Sequence, residues 1–190
     1  MSQFEFTAYY LSTLSSKGLH KAEALLSEDH ESLAHLLAAL QEALNTPDST
    51  AAFARLDLFW ARLAMHIRAE HLHLFPAILK SPHVATITST DADKAIQQLR
   101  SDHDFFMHEL SSAIKILREA HTTTGIELEN QLAAVRGIVE AVRDRLEVHN
   151  ELEEEIVYLL PERMLTPTEQ VTLDQEVQAE LENLPSRFTR

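Results

Sequence analysis

"MHIRAEHLHLFPAIL", Met65 to Leu79, sets three histidines and a glutamate into an otherwise apolar, helix-like run with a proline towards its end. Residues four apart on a helix lie about 40° apart in azimuth and about 6 Å apart along the axis. His66 and Glu70 therefore share a stripe, with Phe59, Leu63 and Leu74 around them. The pattern recurs. "RLAMHIRAE" (62–70) matches "RLEVHNELE" (145–153) at Arg, Leu, His and Glu, so His149 and Glu153 repeat His66 and Glu70. Their stripe holds Val142, Leu146, Leu152 and Ile156. "LSEDHESLAHLL" (26–37) likewise matches "LRSDHDFFMHEL" (99–110) at Leu, Asp, His, a second His five residues on and a final Leu. His30 and His103 thus sit on leucine- and phenylalanine-lined stripes of their own. The two repeats keep the same order in both halves of the chain.

Around them five helical patterns can be read. The first runs from about Leu19 to Asn45. "NTPDST" breaks it, and Asp48 or Ser49 can cap the second, from about Thr50 to Lys80. "SPHVATITST" is a loop before the third, from about Asp91 to His121, which "TTTG" ends. The fourth runs from about Ile126 to Leu160, where Pro161 ends or kinks it. Gln170 to Leu184 reads as a short acidic fifth helix, a packed or solvated appendage. Four long helices joined by short loops make an all-α, antiparallel up-down-up-down four-helix bundle. The repeat predicts a pseudo-twofold axis. The organisation read is 1–18 as N-terminal lead-in, 19–162 as bundle, and 163–190 as C-terminal helix and tail.

Composition narrows the partners. Thirty acids against 16 Lys and Arg give a formal charge of −14, which argues against a phosphate backbone or an anionic membrane surface. No apolar run approaches the roughly 18–20 residues that span a bilayer. The first residues show neither a basic segment nor a small-residue cleavage site, so no signal peptide is read and a cytoplasmic location is expected. With no cysteine there are no disulfides, thiolate ligands or thiol nucleophiles. The 11 histidines are the compositional oddity.

A single histidine on an apolar stripe is usually a satisfied core residue. Four near mid-helix, two of them in H-x-x-x-E and all obeying a repeat, point to a metal site instead. Two buried glutamates facing four imidazoles need a cation. Imidazole with carboxylate and no sulfur suits iron, manganese or zinc. Six ligands are too many for one catalytic zinc and suit two ions bridged by both glutamates. The simplest pairing gives His30 and His66 to one ion, and His103 and His149 to the other. "HESLAH" (30–35) is one residue too long for a zinc-protease helix motif, and "EHLH" (70–73) supplies only one of the two E-x-x-H elements a ferritin-like centre requires. No phosphate loop or nucleophile elbow is present, and no catalytic residue is assigned.

In "DH" (29–30), "HIRAEHLHLFP" (66–76), "DH" (102–103) and "HNELEEEIVY" (149–158), the sequence resembles the haemerythrin-like, or HHE cation-binding, family. The likeness covers most of residues 20–162. It implies an antiparallel four-helix bundle with a non-haem di-iron centre, and carries over His30, His66, Glu70, His103, His149 and Glu153 as metal ligands. Zinc or manganese can replace iron on purification. Oxygen-carrying members use a fifth histidine four residues after the third-helix one. Here that position is Met107, and its first-helix counterpart is Ala34. The four-His, two-Glu set is closer to proteins linked to iron–sulfur repair and nitric-oxide stress. Those usually carry a cysteine-bearing N-terminal domain, and these 190 residues hold no cysteine, so the full repair activity is not expected. The family also has an apolar residue seven after the second-helix histidine; this chain has His73 there, and Ile156 at the matching place in the fourth helix.

Of the other polar residues, His73 is expected to face the interior one turn beyond Glu70. His35 and His108 are expected at helix interfaces, His71 facing out or towards a neighbour, and His20, His83 and His121 in solvent. Asp29 and Asp102 either accept an N–H from a ligand imidazole on a neighbouring helix or are solvated or capping acids. Arg62 and Arg145 pair with those acids or snorkel. Glu154 is expected at the surface, Tyr158 outside the cavity, and Trp60 in packing. The expected function is a di-iron protein meeting O2, peroxide or nitric oxide in stress response or iron homeostasis. The alternatives are a metal- or redox-dependent sensor module, or oxygen or iron storage without turnover. The expected partner is the small diatomic or peroxide ligand, with a homodimer left open.

Overall fold

A computed structural model describes residues 21–81 and 89–188. The N-terminal lead-in, His20 and His83 lie outside the described residues. Four long helices form the bundle: α1 (Ala22–Leu44), α2 (Ser49–Ala69), which runs on through a wide turn (Glu70–Leu74) into α3 (Phe75–Lys80), α4 (Ser89–Ala120) and α5 (Gly125–Leu152). A second wide turn (Glu153–Val157) follows α5, then α6 (Leu160–Met164) and α7 (Pro167–Glu182). Helices α1 and α2 pack together, as do α4 and α5; α2 also meets α4, and α1 meets α5. No strand occurs among the described residues.

The helix ends follow from local chemistry. Asp48 accepts from the N–H groups of Thr50 and Ala51 at 3.1 and 3.0 Å, capping α2. Gly125 opens α5 at φ +65°, a conformation that suits glycine. Thr166 and Glu169 form a reciprocal capping box before Pro167 in the first turn of α7. Helix α7 starts three residues earlier than the acidic pattern suggests, because this cap lies outside the pattern.

Both wide turns are π turns, in which the backbone bond closes over five residues rather than four. The N–H of Phe75 reaches the carbonyl of Glu70, and that of Tyr158 reaches Glu153 at 2.8 Å. Each begins on the glutamate of an H-x-x-x-E repeat, and a proline, Pro76 or Pro161, follows each. One extra residue turns everything after it by about 100°. Val157 is therefore buried and Ile156 is 39% exposed, reversing the expected stripe. Leu152 is half-buried.

Two apolar clusters fill the bundle. One holds Leu33 to Leu44, Leu56 to Ile67, Phe106 to Leu117 and Leu132 to Leu146; the other holds Ala22 to Leu26, Ala69 to Ile78, Ala92 to Leu99 and Val157 to Leu165. Between them, on every long helix, lies a buried polar layer. Leu173, Val177 and Leu181 seat α7 on the second cluster, and Asp174 accepts from the first N–H of α1 at 2.7 Å. The fifth helix is thus packed into the structure. Truncating Leu40, fully buried and about 15 Å along α1 from His30, should destabilise the protein by ~2–5 kcal/mol. Denaturant unfolding of Leu40→Ala checks this, and metal content per folded chain should be unchanged.

Candidate metal centre

The polar layer brings together His30 of α1, His66 and Glu70 at the end of α2, His103 of α4, and His149 and Glu153 at the end of α5. All six are buried, and both glutamates have no exposed surface. Two clusters can each hold a cation: His30, His66 and Glu153, and His103, His149 and Glu153, the donor atoms of each within 4.8 Å of one another. Glu153 spans them, with Oε2 at 3.1 Å from His30 Nε2 and Oε1 at 3.0 Å from His149 Nε2. Glu70 spans them from the other side, with Oε1 at 3.6 Å from His66 Nε2 and Oε2 at 3.2 Å from His103 Nε2.

Each imidazole is held from behind through Nδ1. His66 is bonded to Asp29 at 3.0 Å, and His149 to Asp102 at 3.3 Å. Arg62 donates to Asp29, and Arg145 to Asp102 through Nε, each at 2.6 Å. Asp29 and Asp102 thus adopt the imidazole-holding role of their two sequence-level alternatives, and each arginine pairs with its acid. His30 is bonded to Glu154 at 2.8 Å, and His103 to His71 Nε2 at 2.8 Å. A ring that donates through Nδ1 leaves an Nε2 lone pair pointing inward.

That convergence tests whether the site suits a metal. Glu70 Oε2 and Glu153 Oε1 are buried and accept no hydrogen bond. His103 Nε2 and His149 Nε2 face each other at 3.0 Å. Carboxylate oxygens and imidazole lone pairs crowded in a water-poor space repel one another unless protons or cations lie between them. The donors are nitrogen and oxygen only, which suits iron, manganese or zinc.

A model of the hemerythrin HHE cation binding domain matches residues 22–160. The chain belongs to that family. No curated protein and no solved structure gives a significant match. Membership brings metal binding, with iron the usual ion, and agrees with the helical bundle seen here. Among the described residues no helix is long and apolar enough to cross a membrane.

Within this haemerythrin-type bundle several side chains depart from the sequence reading, and the π turns explain most of them. His73 does not face the interior; it is rotated towards α7, where Nδ1 lies 3.2 Å from Glu176. Tyr158, expected outside the cavity, is fully enclosed instead. Its hydroxyl donates to Glu70 Oε1 at 2.9 Å and lies 3.2 Å from both Glu153 Oε2 and His30 Nε2. Five residues after the glutamate is the inward position of a π turn, and its counterpart after Glu70 is Phe75. Glu154 keeps half its side chain in solvent yet holds His30. His35 and His108, expected at helix interfaces, are exposed, as is His121. Trp60 packs as expected, donating to Met107 Sδ at 3.3 Å.

In the metal-free state protons compensate the acids. Burial pushes His66 down, but Glu70 and Asp29 outweigh it and hold it at about 10, above its ordinary 6.5. His149 is also raised, with Glu153 overcoming burial. Burial is the main force keeping His71 below its ordinary value and Tyr158 well above it, so the first is neutral and the second keeps its proton. A raised histidine stabilises the fold below its unfolded value, and that contribution disappears as pH rises through its folded value. The metal-free protein should therefore lose thermal stability as pH rises from about 6.5 to about 10. Metal uptake should release protons and tighten across the same range. Melting curves and proton-release titrations check both. Asp29→Asn should weaken metal binding by about 10–100-fold, read by chelator competition.

Proposed function

We propose that this chain is a non-haem di-iron protein that binds or reacts with a small oxidant (O2, peroxide or nitric oxide) in the cytoplasm, serving stress response or iron homeostasis. The observation that carries this reading is the pair of glutamates, each spanning two histidine pairs. His30 and His66 would hold one ion, His103 and His149 the other, with Glu70 and Glu153 shared. Iron bound there would supply electrons to a small oxidant, and Glu70 and Glu153, each within reach of both histidine pairs, would offset the positive charge held in the layer.

The surrounding residues suit a small, weakly polar ligand. A cavity of about 270 Å³ reaches His30 between α1 and α5, walled by Leu33, Ala34, Leu37, Phe59 and Leu146, with Arg143, Glu147 and Asn150 also lining it. At the pseudo-symmetric position Met107 replaces Ala34, and Trp60 leans on its sulfur. Tyr158 offers a protonated hydroxyl between the two glutamates, able to donate a hydrogen bond to an anion formed there. Stopped-flow mixing of the reduced, iron-loaded protein with O2, peroxide and nitric oxide tests the reading. Rapid spectral change with at least one supports it, and inertness to all three contradicts it. Ala34→Phe should slow that reaction with metal content unchanged, whereas Met107→Leu should not.

One observation favours a second reading, a metal-dependent sensor module. Arg62 donates both to Asp29, which holds His66, and to the carbonyl of Leu181 near the end of α7. Metal loading could thereby be felt at the C-terminal helix. Inertness to oxidants combined with a metal-dependent change in protection of α7 from hydrogen exchange would select this reading.

A further inference from the structure

The two halves of the centre repeat each other in their inward-facing atoms but not in what stands behind them. On the His30–His66 side both imidazoles are backed by carboxylates, Glu154 and Asp29. Asp29 is fixed by Arg62, whose side chain is only 4% exposed and which is tied to α7. On the His103–His149 side only His149 has a carboxylate, at the longer distance of 3.3 Å. Its partner Arg145 is 37% exposed and lies over Phe105. His103 is backed by another imidazole, His71. A carboxylate acceptor makes a ligating imidazole a stronger donor and fixes its tautomer. An imidazole does so only if it presents its own lone pair. His71 must therefore carry its proton on Nδ1, a tautomer that no hydrogen bond among the described residues enforces.

We propose that the two cation positions are unequal: the His30–His66 position fills first and releases last, while the His103–His149 position is the exchangeable one, with His71 as the residue that weakens it. This rests on the reading that the centre holds two ions.

The test is anaerobic titration of the metal-free full chain with Fe(II) and, separately, Co(II), followed calorimetrically and by the cobalt absorption bands. Two steps are expected, separated by about tenfold or more in affinity. His71→Glu should strengthen the second step and draw the two together. Glu154→Gln should weaken the first. Both substitutions lie at the edge of the centre, and helical circular dichroism verifies that each variant is folded. His149→Ala should spare the first step, and His66→Ala should abolish it. Two equal steps in the parent protein, or a first step lost in His149→Ala and kept in His66→Ala, would overturn the proposed order while leaving the two-ion reading intact. Saturation at a single equivalent would overturn the two-ion reading and the inference with it.

Discussion

Two carboxylates with no exposed surface, in the middle of a four-helix bundle, are the constraint from which the rest follows. Burying one ionised carboxylate without a partner costs several kcal/mol, and here Glu70 and Glu153 share one layer. The bundle answers with four imidazoles, one from each long helix, and an outer ring that turns their lone pairs inward. The apolar clusters above and below supply stability without that layer. The layer is therefore a functional feature, maintained against the tendency of such a core to be filled by leucine.

The pseudo-twofold repeat is strict where the inward donors sit and loose around them. Glu154 stands opposite His71, Tyr158 opposite Phe75, and Ala34 opposite Met107. Each difference gives one side a charged, hydroxylic or open feature and the other a neutral or closed one. Three changes in the same sense make the centre two-sided. The His30 side has the cavity, the tyrosine hydroxyl and a carboxylate behind each of its two imidazoles. The opposite side is packed with Phe75, Phe106 and Met107. The C-terminal helix adds to this polarity, since it touches the centre through Arg62 and, among the described residues, no element plays that part at Arg145.

The architecture and the six inward residues were legible because both arise from local periodicity. The H-x-x-x-E spacing fixes a shared helix face, and the repeat shows that this spacing occurs twice. The π turns were not legible, because nothing in the side-chain pattern of "EHLHL" or "EEEIV" announces an extra residue per turn. Pro161 was visible as an end or a kink and Pro76 only as a proline inside the second helical pattern, and a proline does not tell a kink from a widened turn. That one omission displaced His73 and Ile156 outward, and it hid Tyr158 and the contact of Glu154 with His30. The link from Leu181 to Arg62 joins residues more than a hundred positions apart and depends on how α7 docks, which no helical periodicity encodes. His35 and His108 obeyed the repeat and yet are exposed, so repetition in sequence marks a shared position in the two halves rather than burial.

The most direct measurement is anomalous diffraction at the iron edge from crystals of the iron-loaded protein. Two peaks are expected in the polar layer, one bonded to Nε2 of His30 and His66, the other to Nε2 of His103 and His149, with a carboxylate oxygen of Glu70 and of Glu153 on each. A single peak, or iron held only at surface acids while these six side chains stay joined to one another by hydrogen bonds, would contradict it.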